Sequence, residues 1–322
     1  MNVKLVNTIL LGADVYPNSI VLKDNIIYGC DAKGRIFSVA DDGLVKFEFG
    51  AEGLGRYKFR QAVFITYGMD KLIVADWHNH RVVFYDDNNN YIDEFGHLSN
   101  PTRSLFANLI ARSKKIISNH EYLLNHCEVN PVKEVNDDSL FKKANRFLYY
   151  LFKQSSKGIP FNKPNGIAFC CNTMIVTQKN NRSIQFISFD NNDVSTVKLE
   201  REISKLDNTN LGRLGNCIMK ETLFYICDET NECIWVVDKC GNYINKILPQ
   251  TTVKPFSCCF INENTLVVGG VSGLFIMNLE NQKIEFQDLT IGEVHSVIYK
   301  EQQNEILVCC RDSGTIKVLS VE

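Results

Sequence analysis

No run of about 18 apolar residues occurs anywhere in the chain, so no segment reads as a membrane-spanning helix. The opening MNVKLVNTILLGADVYP lacks a basic stretch followed by a long apolar run and a small-residue cleavage site, and is expected not to be a secretory leader. An excess of one charge is also missing. The formal net charge is −2 over 322 residues and the pI is near 6.3, which gives no whole-molecule field for nucleic acid or an anionic membrane. The GxSxG elbow, the P-loop, the dinucleotide fingerprint and HExxH are all absent, so none of the enzyme classes built on them is indicated. CxxC spacing is absent too, although the chain holds 12 cysteines. Three adjacent pairs, Cys170–Cys171, Cys258–Cys259 and Cys309–Cys310, fall in strand-like segments. Neighbours on a strand point to opposite faces, so such pairs are badly placed to chelate one metal or to bridge each other. The cysteines are expected to be reduced, mostly buried apolar residues in a reducing, cytoplasmic setting.

What is present is a meander. Leu72–Gly96, LIVADWHNHRVVFYDDNNNYIDEFG, reads as three β-segments rich in branched and aromatic residues, separated by the polar turns DWHNH and DDNNN. One such unit cannot bury its apolar face alone, and the chain repeats it. Aligning the end of the second segment gives Asp31, Asp76, Gln178, Asp228, Gly270 and Arg311. Three residues later stand Gly34, Asn79, Asn181, Asn231, Gly273 and Gly314, all Gly or Asn, the residues that tolerate a left-handed turn backbone. An apolar segment precedes each turn, beginning PNSIV at Pro17 and PNGIA at Pro164, and two more segments follow. Each unit is therefore a four-stranded meander the size of a propeller blade. The last unit has three strands, while Val3–Leu10 is a spare strand at the start. Pairing the two closes the ring and removes the open edges. The expectation is an all-β, single-domain, six-bladed propeller spanning residues 1–322, with the N-terminal strand completing the last blade.

The segment IVADWHNHRVVFYDDNNNYIDEFG resembles a repeat of the NHL type, with its VAD–x–x–NHR core and terminal FG, and PNGIAF at Pro164–Phe169 resembles the opening strand of such a repeat. The resemblance is sharp in blade 2, fair in blades 1, 3 and 4, and faint in blades 5 and 6. It implies a six-bladed propeller. It does not select a function, because that family includes RNA binders, protein-interaction modules, sensor domains and a few enzymes.

The interval from Asp76 to Gln178 exceeds the others by more than a full unit. Within it, residues 101–160 carry two apolar helical patterns, the clearer being Leu140, Phe141, Ala144, Phe147, Leu148, Leu151 and Phe152. Ten Lys or Arg stand there against five acidic residues. A helical insertion between blades 2 and 3 is expected, acting as a lid over the channel mouth. Lys142, Lys143 and Arg146 form either its solvated face or a surface for anions.

Residues expected near that mouth, from strand starts and turns, are Asn18, Arg60, Trp77, His78, Asn165, Arg213 and His295, with Lys179, Glu229 and Asp312 beside them. A ring of Arg, Asn, Trp and His can hold an anionic or peptide ligand through forked hydrogen bonds and stacking. The bland alternative is that the asparagines cap turns and Trp77 covers a blade edge. His78-Asn79-His80 offers no third metal ligand, so neither a metal nor a cofactor is expected. The reading favoured is non-catalytic binding of a peptide or protein segment, or of a small anionic ligand. A hydrolase or lyase with a channel site is the alternative, and RNA binding through the basic insertion is weaker still.

Overall fold

The computed structural model describes residues 1–40, 42–98, 159–249 and 253–322. The expected helical insertion, with Lys142, Lys143 and Arg146, lies outside the described residues apart from its last two, Ile159 and Pro160. The described chain forms six four-stranded antiparallel sheets and three small two-stranded ones. Blade 1 comprises Pro17–Lys23, Ile26–Asp31, Ile36–Val39 and Val45–Phe49. Blade 2 comprises Ala62–Gly68, Lys71–Asp76, Arg81–Tyr85 and Tyr91–Phe95. Blades 3, 4 and 5 repeat the order from Pro164, Leu214 and Pro255. Blade 6 has Val294–Lys300, Glu305–Cys310 and Thr315–Val321, and its fourth strand is Val3–Leu10, paired antiparallel from Val3↔Val321 to Leu10↔Thr315. The innermost strands pack in the order of blades 1 to 6 and back to 1, which makes a six-bladed propeller closed as expected.

No single core fills this molecule. Among the described residues the buried apolar side chains fall into six clusters, one between each pair of neighbouring blades. Middle strands are therefore covered on both faces and carry apolar runs, such as Val82–Tyr85 within the fully buried Arg81–Tyr85. Outer strands such as Lys198–Ile203 are mostly exposed. The same geometry separates the adjacent cysteines. Cys258 lies in the blade 4–5 layer and Cys259 in the blade 5–6 layer, while Cys309 and Cys310 divide between the 6–1 and 5–6 layers. All 11 described cysteines are free.

The turn alignment needs two corrections. Gly34, Gly273 and Gly314 do have positive φ, but Asn79, Asn181 and Asn231 do not; the left-handed residues there are His80, Arg182 and Glu232. The asparagines of blades 2 and 4 serve as donors instead. Asn79 Nδ2 reaches Asp76 Oδ2 at 2.6 Å, and Asn231 Nδ2 reaches Asp228 Oδ2 at 2.8 Å. In blade 6 the register pairs Cys310 with Thr315, as Asp76 pairs with Arg81, so Cys310 and not Arg311 occupies the Asp76 position. Apolar neighbours made that offset invisible in sequence.

In blades 2, 3 and 4 the residue at the Asp76 position latches its blade. Asp76 Oδ1 accepts the Arg60 N–H at 2.9 Å, Asp228 Oδ2 the Gly212 N–H at 2.9 Å, and the Gln178 amide oxygen the Asn162 N–H at 2.6 Å. Each ties the end of the second strand to the segment leading into the first. His80 completes the blade 2 turn: its Nδ1 accepts the Lys163 N–H at 3.1 Å. Burial, reinforced by His78, Lys163 and Arg60, pushes its pKa from 6.5 down to about 4. The folded state thus prefers neutral imidazole. That preference stabilises fully above pH 6.5 and is lost as pH falls toward 4, a difference of roughly 3 kcal/mol at most. His80→Asn keeps a residue that tolerates the left-handed backbone and is expected to flatten stability against pH between those limits. Equal slopes for the two proteins in urea unfolding would contradict it.

Candidate functional site

Each blade presents two side chains to the same end of the ring, and a backbone irregularity supplies the first. In all six blades the pairing of first and second strands shifts by a bulge just after the first strand begins. The displaced residues are Asn18, Val63, Asn165 with Gly166, Gly215 with Asn216, Phe256 and His295. Bulges bend a strand and re-aim its side chains. Except for Gly166, all of these line one cavity of about 360 Å³.

The second contribution is the residue directly after each second strand: Ala32, Trp77, Lys179, Glu229, Val271 and Arg311. In blades 1 to 5 a shared backbone bond fixes it, from its N–H to the carbonyl of the residue preceding the first strand, as in Trp77 to Gln61 at 3.1 Å and Glu229 to Arg213 at 3.0 Å. Five of the six line the cavity; Ala32, the smallest, does not. Gln61, Arg213 and Glu293, each ahead of its first strand, complete the wall.

Of the expected residues, Asn18, Trp77, Asn165, Arg213 and His295 line this cavity, with Lys179 and Glu229. Arg60, His78 and Asp312 do not. Arg60 contributes its backbone N–H to Asp76, and the His78 ring rests against Trp77 with centroids 4.9 Å apart. Arg311 takes the place assigned to Asp312, as the corrected blade 6 register requires. Two of the asparagines have structural work: Asn18 Nδ2 donates to the Ala62 carbonyl of the next blade at 2.8 Å, and Asn165 Nδ2 to the Leu214 carbonyl at 2.8 Å. The bland reading expected these two to cap turns; the bonds observed are instead staples between blades. Asn216 and Phe256 escaped sequence reasoning because nothing before the register was known marked the bulge, and Gln61 because it stands one residue ahead of its strand.

The charges are arranged in two groups. Lys179 Nζ lies 3.5 Å from Glu229 Oε2, and Arg213 lies 3.3 Å from Glu229 Oε1. Burial lowers the pKa of Lys179, with Glu229 opposing it. Across the cavity Glu293 Oε1 lies 3.3 Å from His295 Nε2, and the imidazole holds the Glu293 carboxyl below its usual range. That contact is close but off the line of a hydrogen bond. Phe256 flanks both groups, its ring packing on His295 with centroids 5.2 Å apart and lying 5.5 Å from Lys179 Nζ; Trp77 offers a second aromatic face, with Lys163 Nζ 4.3 Å over it.

Buried polar atoms without a hydrogen-bond partner are rare in folded proteins because each costs about 1–3 kcal/mol. Among the described residues there are four: Trp77 Nε1, Glu229 Oε2, His295 Nε2 and Gln185 Oε1. The first three belong to residues of this one cavity wall. Among the described residues, no three His, Cys, Asp or Glu side chains gather as metal ligands. No described helix is long and apolar enough to cross a membrane.

No protein-family model matches the chain, the NHL type included, and no curated protein matches it. Solved structures do resemble it. Virginiamycin B lyase from Staphylococcus aureus superposes at a TM-score of 0.59 with 14% identity, covering 100% of this chain and 99% of that one. The WD40 β-propeller domain of Doa1 gives 0.55 with 11% identity over 99% of this chain and 97% of that one. U3-55K gives 0.55 with 9% identity over 95% and 76%. At such identities the likeness concerns the fold alone.

Proposed function

We propose that this chain is a single-domain recognition module of NHL type, non-catalytic and cytoplasmic, that captures a short peptide segment in the cavity at its channel mouth. The observation that carries this reading is the buried Trp77 indole N–H, which has no acceptor, on a wall that also holds the ion-paired Glu229 and Glu293 carboxylates. Trp77 Nε1 offers a donor, and the Glu229 carboxylate, held between Lys179 and Arg213, offers acceptor oxygens; a peptide backbone brings complements to both. Side-chain charges of both signs and two aromatic faces suit a polypeptide better than a uniformly apolar ligand. The volume, about 360 Å³, matches the small end of ligand pockets. The NHL assignment draws on blade 2, where Asp76, Asn79 and Arg81 of the VAD–x–x–NHR segment form one buried hydrogen-bonded group.

Selection from a displayed peptide library, followed by calorimetry of the enriched sequence, tests the proposal. Trp77→Ala is expected to weaken binding about 30-fold or more, as for a central aromatic hot spot. Absence of enrichment, or equal affinity for Trp77→Ala, would overturn it. One observation favours a second reading, a hydrolase or lyase: Glu293 and His295 form a carboxylate–imidazole pair facing the cavity. Mass spectrometry of the bound peptide separates the two, since a recognition module returns it intact.

A further inference from the structure

The ring of residues following the second strands has a gap. Five of its positions carry Trp77, Lys179, Glu229, Val271 and Arg311, and the sixth, in blade 1, carries only the Ala32 methyl. Its backbone is held like those of blades 2 to 5, with the Ala32 N–H on the Tyr16 carbonyl at 3.0 Å. Ala32 is flanked around the ring by Arg311 of blade 6 and Trp77 of blade 2. These are also the two polar members of the ring with unused donors. Lys179 and Glu229 pair with each other. Arg311 lines the cavity and, among the described residues, its side chain has neither an ion pair nor a hydrogen bond, the residue's one bond being the Gly314 N–H on its backbone carbonyl; its charge acts on Glu293 only through space. The Trp77 indole N–H is buried without an acceptor. Asn18, displaced by the blade 1 bulge, lies in the same sector with its Nδ2 committed to Ala62.

We propose that the blade 1 sector is an oxyanion subsite, in which Arg311 and the Trp77 N–H grip an anionic group in the space left open by Ala32. Resting on the cavity as the binding site, it names the ligand feature recognised there: a carboxylate from an acidic side chain or chain end, or a phosphate. A guanidinium from blade 6 and an indole N–H from blade 2, on either side of blade 1 and on the wall of one cavity, supply the donors such a group needs, and Arg is suited to the forked geometry of an oxyanion.

The test uses glutarate and inorganic phosphate as separate probes, read by fluorescence. The chain has 2 tryptophans, and Trp235 is fully buried, so a response to a cavity ligand reports Trp77. At least one probe is expected to change the emission saturably. Arg311→Gln is expected to weaken it about tenfold or more, as loss of a charge-assisted contact does. Ala32→Glu, which places a carboxylate in the gap, is expected to abolish it. Response to glutarate alone identifies a carboxylate source, and response to phosphate alone a phosphate source. No response to either, or an unchanged response in Arg311→Gln, would overturn the proposal. Peptides that bind regardless of their charge would remove the subsite and leave peptide recognition standing; anions that bind where no peptide does would reverse that outcome.

Discussion

Replacing Arg81 by methionine is expected to cost about 3–5 kcal/mol, a large share of a typical folding free energy of 5–15 kcal/mol. Arg81 is 3% exposed and Asp76 is fully buried, with Arg81 Nε 2.9 Å from Asp76 Oδ2. Its other nitrogens reach Glu94 Oε2 at 2.6 Å and the carbonyls of Gly55 and Lys58 at 2.8 and 2.6 Å. One side chain therefore joins two strands of blade 2 to the link arriving from blade 1. Methionine preserves much of the stem's packing and removes the charge, leaving Asp76 as a buried anion. Burial already raises the Asp76 pKa, with Arg81 as the main opposing influence. Without that influence the carboxyl rises further. The sign follows: a carboxylate with a raised folded-state pKa costs nothing below its unfolded value and progressively more as pH climbs through the folded one. The deficit of Arg81→Met relative to wild type should thus shrink as pH falls toward 4. Asp76→Asn combined with Arg81→Met should cost less than the sum of the single changes. Urea unfolding of the four proteins at two pH values measures both, and strict additivity would refute a coupled pair.

Gly96→Ala is expected to cost about 3–5 kcal/mol by a different route. Gly96 has φ of +117°, and an added Cβ would stand 2.4 Å from Phe161 Cδ2, 2.6 Å from the His80 carbonyl oxygen and 2.9 Å from Arg81 Cα. Backbone strain of about 1–3 kcal/mol combines with overpacking of similar size. Gly43 separates the two contributions, because its φ is +79° but nothing lies within 4 Å of an added Cβ. Gly43→Ala should cost about 1 kcal/mol, the strain alone. Similar unfolding midpoints for the two variants would show that the close approach at Gly96 is unimportant.

Gly96 also shows what was legible beforehand. The FG ending of blade 2 is a recognisable pattern, and its cause is now explicit: Phe95 is fully buried, and Gly96 lets the chain pass against His80 and Arg81. Blade number, ring closure and the latching Asp76 and Asp228 could be read because apolar runs and turn residues recur at fixed spacing. The site could be read only in part. Trp77, Arg213 and His295 stood out by chemical type, whereas Phe256 and Arg311 depended on where each bulge and turn fell, and one residue of offset exchanged Arg311 for Asp312. The reason given for the Gly or Asn at each turn was also incomplete. In blades 2 and 4 the asparagine side chain holds the turn while its neighbour adopts the left-handed backbone.

The six bulges have a consequence for how such a molecule changes over time. Val63, Phe256, Val271 and Arg311 face the cavity, yet none of them closes the ring, since the latches and inter-blade staples belong to other residues. At these four positions recognition is separated from folding, whereas Asn18 and Asn165 serve both. A lineage carrying this scaffold can exchange what it recognises one blade at a time, each substitution reshaping a single sector of the wall at little cost to the ring that displays it.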